Sequence, residues 1–519
     1  MGEPLASYPP LSFGLLSTSG GNVSHDYDEL KHRLAKVHDL RTAAELLFWD
    51  QTVMMPSRGA AVRAEQLATL ERLAHERFVD DEIGRLLDEL RPFEESELFD
   101  SDEASLVRVT RRDWEKARQV PSELSAEMTK AASEAMEAWV VARRDSSYAA
   151  FQPWLERTLE LKRRYIDCFD YEGDPYDVVL DDYEPGMKTD EVRAVFERLK
   201  EELVLLIAEA ASDEVSPVAG GRFPEEVQHR LSTELVERFG FRPEYYRLDR
   251  TVHPFCASSA TTDIRLTTRY SERDLTSLFT AMHECGHGLY EHGVSPSLER
   301  TPLCAGASSA LHESQSRLWE NIVGRSLPFW RWYYPRVQEA FPEALGGVDL
   351  ERFHRSVNRV RPSHIRVDAD EATYGMHIIL RFELEQELLA GTLSLNDLPE
   401  AWNARFKEYL GIDVPEDRLG VLQDVHWSGG SFGYFPTYQL GNVISVQIWE
   451  KAQEALPGLG GQIERGEFGA LLGWLQEHIY RHGRKFTPQE LLERVVGGPI
   501  DPEPYLRYLK SKYGTAVAA

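Results

Sequence analysis

From His25 onward the apolar residues of this chain recur at the three-to-four spacing of a helix buried along one face, which leaves packed helices as its main way to build a core. Leu30, Leu34, Val37 and Leu40 form one stripe, Leu67, Leu70 and Leu73 a second, and Leu199, Leu203, Leu206 and Ile207 a third. The clearest strand-like stretch is Ile264-Arg265-Leu266-Thr267-Thr268, reached through the turn-prone Ala257-Ser258-Ser259. A mainly α fold is expected, with a small β element forming one wall of a groove beside the helix that follows. No internal repeat is evident.

That helix contains Ala281-Met282-His283-Glu284-Cys285-Gly286-His287. On a helix, His283 and His287 lie about 40° apart in direction and roughly 6 Å apart along the axis, so both imidazoles can reach one metal ion. Glu284 then flanks the open side of that ion. Zinc lowers the pKa of a bound water to about 7, and a neighbouring carboxylate can take the proton during attack on a peptide carbonyl. Ser271-Glu272-Arg273-Asp274 reads as an N-terminal capping segment, and Leu275, Leu278, Phe279 and Met282 follow as one apolar stripe.

A third ligand is needed for a zinc site with one open position. Tyr290 and Gly293 stand where a metzincin has glycine and histidine, and His292 points about half a turn away. Glu313 in Leu311-His312-Glu313-Ser314-Gln315 is the better candidate. Leu318, Trp319, Ile322 and Val323 after it predict a second amphipathic helix that can turn Glu313 toward the first. A thermolysin-like aspartate is absent, because Arg317 occupies that position.

With these residues in place, the chain resembles the thermostable zinc metallocarboxypeptidases of the carboxypeptidase Taq family. The resemblance begins near Leu46-Leu47-Phe48-Trp49-Asp50-Gln51 and passes through Met55-Pro56 and Arg63-Ala64-Glu65-Gln66-Leu67. It continues through His253-Pro254-Phe255, Asp263-Ile264-Arg265-Leu266-Thr267, the His283 motif and His312-Glu313-Ser314-Gln315. Ile365-Arg366-Val367-Asp368-Ala369-Asp370 and Gly420-Val421-Leu422-Gln423-Asp424-Val425-His426-Trp427 complete it.

The resemblance implies zinc on His283, His287 and Glu313, with Glu284 as general base. It also implies that Asp263, Arg265 and Thr267, with His253-Pro254-Phe255, close one end of the substrate groove, which makes an exopeptidase. Arginine suits a substrate's free carboxylate because its planar fork forms two charge-assisted bonds; Arg265 and Arg366 are both candidates. Ser428 to Tyr438 looks like the glycine- and tyrosine-rich loop that related helical zinc peptidases bring over the metal. Tyr434 is favoured there as oxyanion donor, with His426 as a second polar contact. The implied fold is a large helical peptidase with a deep channel, similar to neurolysin and angiotensin-converting enzyme, and the implied assembly is a homodimer. Cobalt could replace zinc in such a ligand set. The alternative is an endo-acting zinc oligopeptidase on the same scaffold, with both groove ends open. A catalytically silent binding protein is disfavoured by the presence of both Glu284 and Glu313.

Length alone would suggest several domains in 519 residues, but the proposed site residues run from His253 to Tyr434. One helical unit with two lobes over residues 26–519 is therefore expected, after a Ser-, Gly- and Pro-rich leader over 1–25 that reads as disordered. The formal charge of −28 disfavours nucleic acid and anionic membranes as partners, leaving peptides with a free C-terminal carboxylate. Cys168, Cys256, Cys285 and Cys304 fit neither a zinc knuckle nor a disulfide framework, so a reducing compartment is expected. Neither a signal peptide nor a run of ~20 apolar residues is found, which points to the cytoplasm.

Overall fold

The computed structural model describes residues 20–212, 218 and 220–514. Most of the expected leader thus lies outside the described residues, while Gly20 already begins a helix that runs Gly20–Val53. Helices dominate, as the apolar spacing requires. Leu30, Leu34 and Val37 are buried, and so are Leu199, Leu203, Leu206 and Ile207. Leu67, Leu70 and Leu73 are only half-buried, on the helix Ala60–Phe78 at the edge of the molecule.

The described residues contain one three-stranded sheet, ordered β1 (Tyr246–Arg250), β3 (Asp263–Thr268), β2 (Cys256–Ala260). β1 runs parallel to β3 and β2 antiparallel to it, with Ala257 opposite Arg265 and an irregularity between Ser258 and Ala260. The Ala257-Ser258-Ser259 segment is therefore strand rather than turn: pairing with β3 satisfies its backbone, and the reversal falls at Thr261 and Thr262. Alternation along β3 buries Ile264 and Leu266 against the following helix. The contact is close enough that a Cβ on Gly288 would lie 2.8 Å from Leu266 and 2.9 Å from Ile264.

That histidine helix, Thr276–Gly293, is central and buried on most sides. The capping expected from residues 271–274 comes at its last residue, Asp274, whose carboxylate accepts from the Thr276 N–H. The glutamate helix, Ser309–Arg317, starts at Ser308, whose hydroxyl accepts from the Leu311 N–H. It does not continue as regular α-helix. Leu318–Val323 form a π-helical turn with Leu318, Trp319, Ile322 and Val323 buried.

The largest apolar cluster runs from Ala135 to Leu509 in sequence and surrounds these two helices. A second joins Leu30, Leu34, Phe78, Leu86 and Leu106 of the N-terminal helices to Val294, Leu298 and Leu303, just after the histidine helix. Among the described residues no helix is long and apolar enough to cross a membrane.

Candidate metal centre

His283 and His287 stand one turn apart on the histidine helix, with ring centroids 5.0 Å apart. Glu313 Oε2 lies 3.6 Å from His283 Nε2 and 3.3 Å from His287 Nε2. One ligand atom from each of the three falls within 4.8 Å of the others, the only such group of three or more found among the described residues. Two glycines make the approach possible. A Cβ on Gly286 would lie 2.5 Å from the Gln315 carbonyl oxygen, so the two helices touch backbone to backbone. A Cβ on Gly441, in the helix Phe435–Ala455, would lie 2.7 Å from Glu313 Cγ.

The far sides of these ligands are tied down. His283 Nδ1 donates to Glu320 Oε2 at 2.9 Å, which leaves the Nε2 lone pair for a metal. Glu320 is itself held by Arg325 at 3.1 Å and Arg317 at 3.4 Å. His287 Nδ1 meets His312 Nδ1 at 2.5 Å, and His312 Nε2 meets Glu291 Oε1 at 2.6 Å. A single tautomer chain satisfies both contacts: His287 donates to His312, and His312 donates to Glu291. Glu313 Oε1 accepts from Arg317 Nε at 2.6 Å, and Oε2 from the Ser316 hydroxyl at 3.0 Å. This donor set, two imidazole nitrogens and a carboxylate with its outer contacts filled, suits zinc or cobalt.

Burial pushes the Glu313 carboxyl up, but Arg317, His283 and His287 outweigh it and hold the group well below the usual carboxylate range. Glu284 has the opposite fate. Burial, with Glu313 and Glu320 adding and His283 opposing, raises it to about 7, where it can both accept and return a proton. His287 is lowered to about 4, chiefly by burial, and so presents a neutral ring.

Of the other expected residues, three gather in a second cluster. The loop ends at Tyr434, because Pro436 suits the first turn of the helix Phe435–Ala455, and this puts Tyr438 on the helix. Tyr434 lies edge-on to Tyr183 and Tyr438, at 4.9 and 5.1 Å, and stacks on His426 at 5.6 Å. Burial and the Glu313 carboxylate push its hydroxyl up to about 12, so it stays a donor. His426 Nε2 accepts from Tyr438 at 3.4 Å, while its buried Nδ1 has no hydrogen-bond partner. Arg366 is buried, with Nε and Nη2 on Asp424 Oδ1 at 3.0 and 2.9 Å, Nη1 on the Tyr374 hydroxyl at 2.9 Å, and its guanidinium 4.9 Å from the Tyr438 ring. Tyr374 in turn carries Arg317 over its ring at 4.5 Å, which connects Arg366 to Glu313.

Arg265, Asp263, Thr267 and His253 form a separate group on the sheet. The Arg265 fork is taken up by Asp263 at 3.1 and 3.0 Å, and its guanidinium lies 4.3 Å from the Trp49 ring. Thr267 is fully buried, and its hydroxyl accepts from the Phe255 N–H and donates to the Phe255 carbonyl. It anchors the His253-Pro254-Phe255 segment, leaving His253 exposed. A cleft of about 870 Å³ between the helices Asp102–Gln119 and Ser122–Asp145 reaches Gly429 of the tyrosine loop.

Glu320, His312, Glu291, Arg317 and Asp424 lie outside the roles that the sequence motifs suggest. A signal existed for two of them. Arg317 and Glu320 follow Glu313 by one and two helical turns and so share its face, whereas the His312 and Asp424 contacts depend on remote segments.

The sequence model of the family described as Carboxypeptidase Taq (M32) metallopeptidase matches residues 29–513. Thermostable carboxypeptidase 1 of Thermus thermophilus is 42% identical over 489 residues, covering 91% of this chain and 95% of its own. Carboxypeptidase 1 of Bacillus subtilis is 36% identical over 494 residues, covering 94% and 98%. Among solved structures, the M32 carboxypeptidase from Deinococcus radiodurans aligns with a TM-score of 0.90 at 40% identity, covering 94% of this chain and 99% of its own. Metallocarboxypeptidase 1 of Trypanosoma cruzi aligns at 0.89 and 31% identity with the same coverage.

Proposed function

The chain belongs to the carboxypeptidase Taq (M32) metallopeptidase family and is a peptide hydrolase, and from that membership we propose a zinc-dependent carboxypeptidase releasing single amino acids from free C termini with broad specificity. The observation that carries this reading is the convergence of His283, His287 and Glu313 beside the buried Glu284. His283, His287 and Glu313 would hold the zinc ion, which would supply Lewis-acid polarisation of the scissile carbonyl and acidify a water.

The protein groups then have separate tasks. Glu284 takes the proton from the attacking water and later delivers it to the leaving amine, as its shifted pKa permits. Tyr434 donates to the developing oxyanion, a contribution of about 3 kcal/mol, and His426 supports the loop that carries it. Arg366 is the better candidate for the substrate carboxylate: it sits against Tyr438 and connects to Glu313 through Tyr374 and Arg317. Arg265, Asp263, Thr267 and His253 shape the closed groove end, through the clamp between Thr267 and Phe255.

The test is metal analysis of protein purified without added metal, together with mass spectrometry of digests. One zinc per chain and a ladder of products shortened from the C terminus are expected. Cleavage at internal bonds, equal for free and amidated peptides, rejects the reading in favour of an endo-acting oligopeptidase. We further infer one two-lobed unit, in line with the two large core clusters, acting as a cytoplasmic homodimer; light scattering showing only a 59.2 kDa species counts against the dimer.

A further inference from the structure

A cavity of about 330 Å³ lies among the helices Thr189–Ala210, Phe435–Ala455 and Pro488–Val496. Met187, Val192, Val195, Leu440, Ile444 and Leu492 wall it, all of them buried. No lysine, arginine or histidine lines it, and it opens where Glu191 and Ala194 are exposed on the helix Thr189–Ala210. Its inner end holds Glu184, a fully buried carboxyl. Oε1 of Glu184 accepts from the Ala310 N–H and the Ser308 hydroxyl lies near the carboxyl, whereas Oε2 has no hydrogen-bond partner. The size is at the lower end of small-molecule sites, roughly 300–1,000 Å³, and the make-up is theirs as well: mostly apolar walls with a few polar groups, here Glu184, Gln489 and Glu191.

We propose that this cavity binds a small aliphatic primary amine, with the ammonium head on Glu184 Oε2 and the alkyl tail against the apolar walls. A buried carboxyl oxygen without a partner is costly to maintain, and a cation is the partner that relieves it most. Burial pushes Glu184 up to about 8 against the opposing Ala310 N–H and Ser308 hydroxyl, with no cationic side chain in the cavity lining to hold it down. Acidic Glu191 at the opening favours the same charge. A free amino acid is a poor occupant, since its carboxylate would face an apolar wall.

Two contacts couple the cavity to the metal centre. Glu184 holds the first turn of the glutamate helix through Ala310. Leu440 lines the cavity, and the adjacent Gly441 packs directly on Glu313. The site therefore sits where an occupant can adjust a metal ligand without entering the substrate groove.

Calorimetric titration of the metal-loaded enzyme with n-hexylamine tests this, with 1-hexanol as the uncharged control. Saturable binding to one site is expected, weaker by about 10-fold or more for 1-hexanol and for Glu184→Gln. Ala194→Trp, which blocks the opening from an exposed position, should abolish it while peptide hydrolysis without amine is unchanged. Should Glu184→Gln not fold, the alcohol control and Ala194→Trp decide the matter. No saturable binding up to about 10 mM amine, equal affinity for amine and alcohol, or full affinity in Ala194→Trp overturns the proposal.

Discussion

His283 donates its Nδ1 proton to Glu320 across 2.9 Å, although the two residues are 37 positions apart. The contact selects the tautomer that leaves Nε2 free, orients the ring toward Glu313 Oε2, and ties a metal ligand to the cations Arg317 and Arg325.

Glu320→Gln should therefore weaken metal retention by about 10- to 100-fold with all three ligands still present. Metal loss to a competing chelator, followed over time, measures it. Retention equal to the parent protein would remove Glu320 from the centre.

Glu284→Gln and Glu313→Ala should separate binding from chemistry. The first keeps stoichiometric metal and loses about 10²- to 10⁴-fold in kcat, because the ligands stay and the base is gone. The second loses metal and activity together. Metal content beside turnover for each variant decides; full metal and full turnover in Glu313→Ala would refute the third-ligand assignment.

Gly441→Ala adds one methyl where only 2.7 Å separates its carbon from Glu313 Cγ. The Glu313 side chain has to shift, so metal affinity should fall along with stability by about 1–3 kcal/mol. A crystal structure or metal titration showing an undisturbed Glu313 contradicts the close packing described.

Arg366→Lys keeps the charge near Asp424 but loses the fork. Its kcat/KM for free-acid peptides should drop by about 10-fold or more, and far less for C-terminal amides. Arg265→Lys, on the sheet, serves as the comparison. If Arg265→Lys shows the larger selective loss, the carboxylate site moves to the sheet.

Glu184 gives a pH dependence of stability with a definite sign. Its pKa rises from 4.5 to about 8 on folding, so the folded state holds the proton more tightly than the unfolded chain. That contribution is complete below about pH 4.5 and is lost as pH rises toward about 8, by at most about 1.4 kcal/mol per pH unit. Glu184→Gln lacks it. Calorimetry at pH 5 and pH 8 should show the parent's melting temperature falling relative to the variant's; a constant difference contradicts the shift.

The sequence alone determined what depends on neighbours within a turn or two. Helical content followed from apolar spacing, and the pairing of His283 with His287 followed from four residues being about one turn. The expectation of Glu313 as third ligand combined a local pattern with a family resemblance. Where local order competes with long-range pairing, the tertiary structure decided. Ala257-Ser258-Ser259 has turn-like composition, yet β3 supplies hydrogen bonds that make it a strand. Residues 318–323 have the spacing of an α-helix, yet the chain takes a π turn there, with Glu320 beside His283. The sequence likewise shows Arg265 and Arg366 as equals. Packing separates them, one against Asp263 and Trp49 on the sheet, the other against Asp424 and Tyr374 beside the metal ligands, because which residues meet across the core depends on how helices pack and not on any period within them.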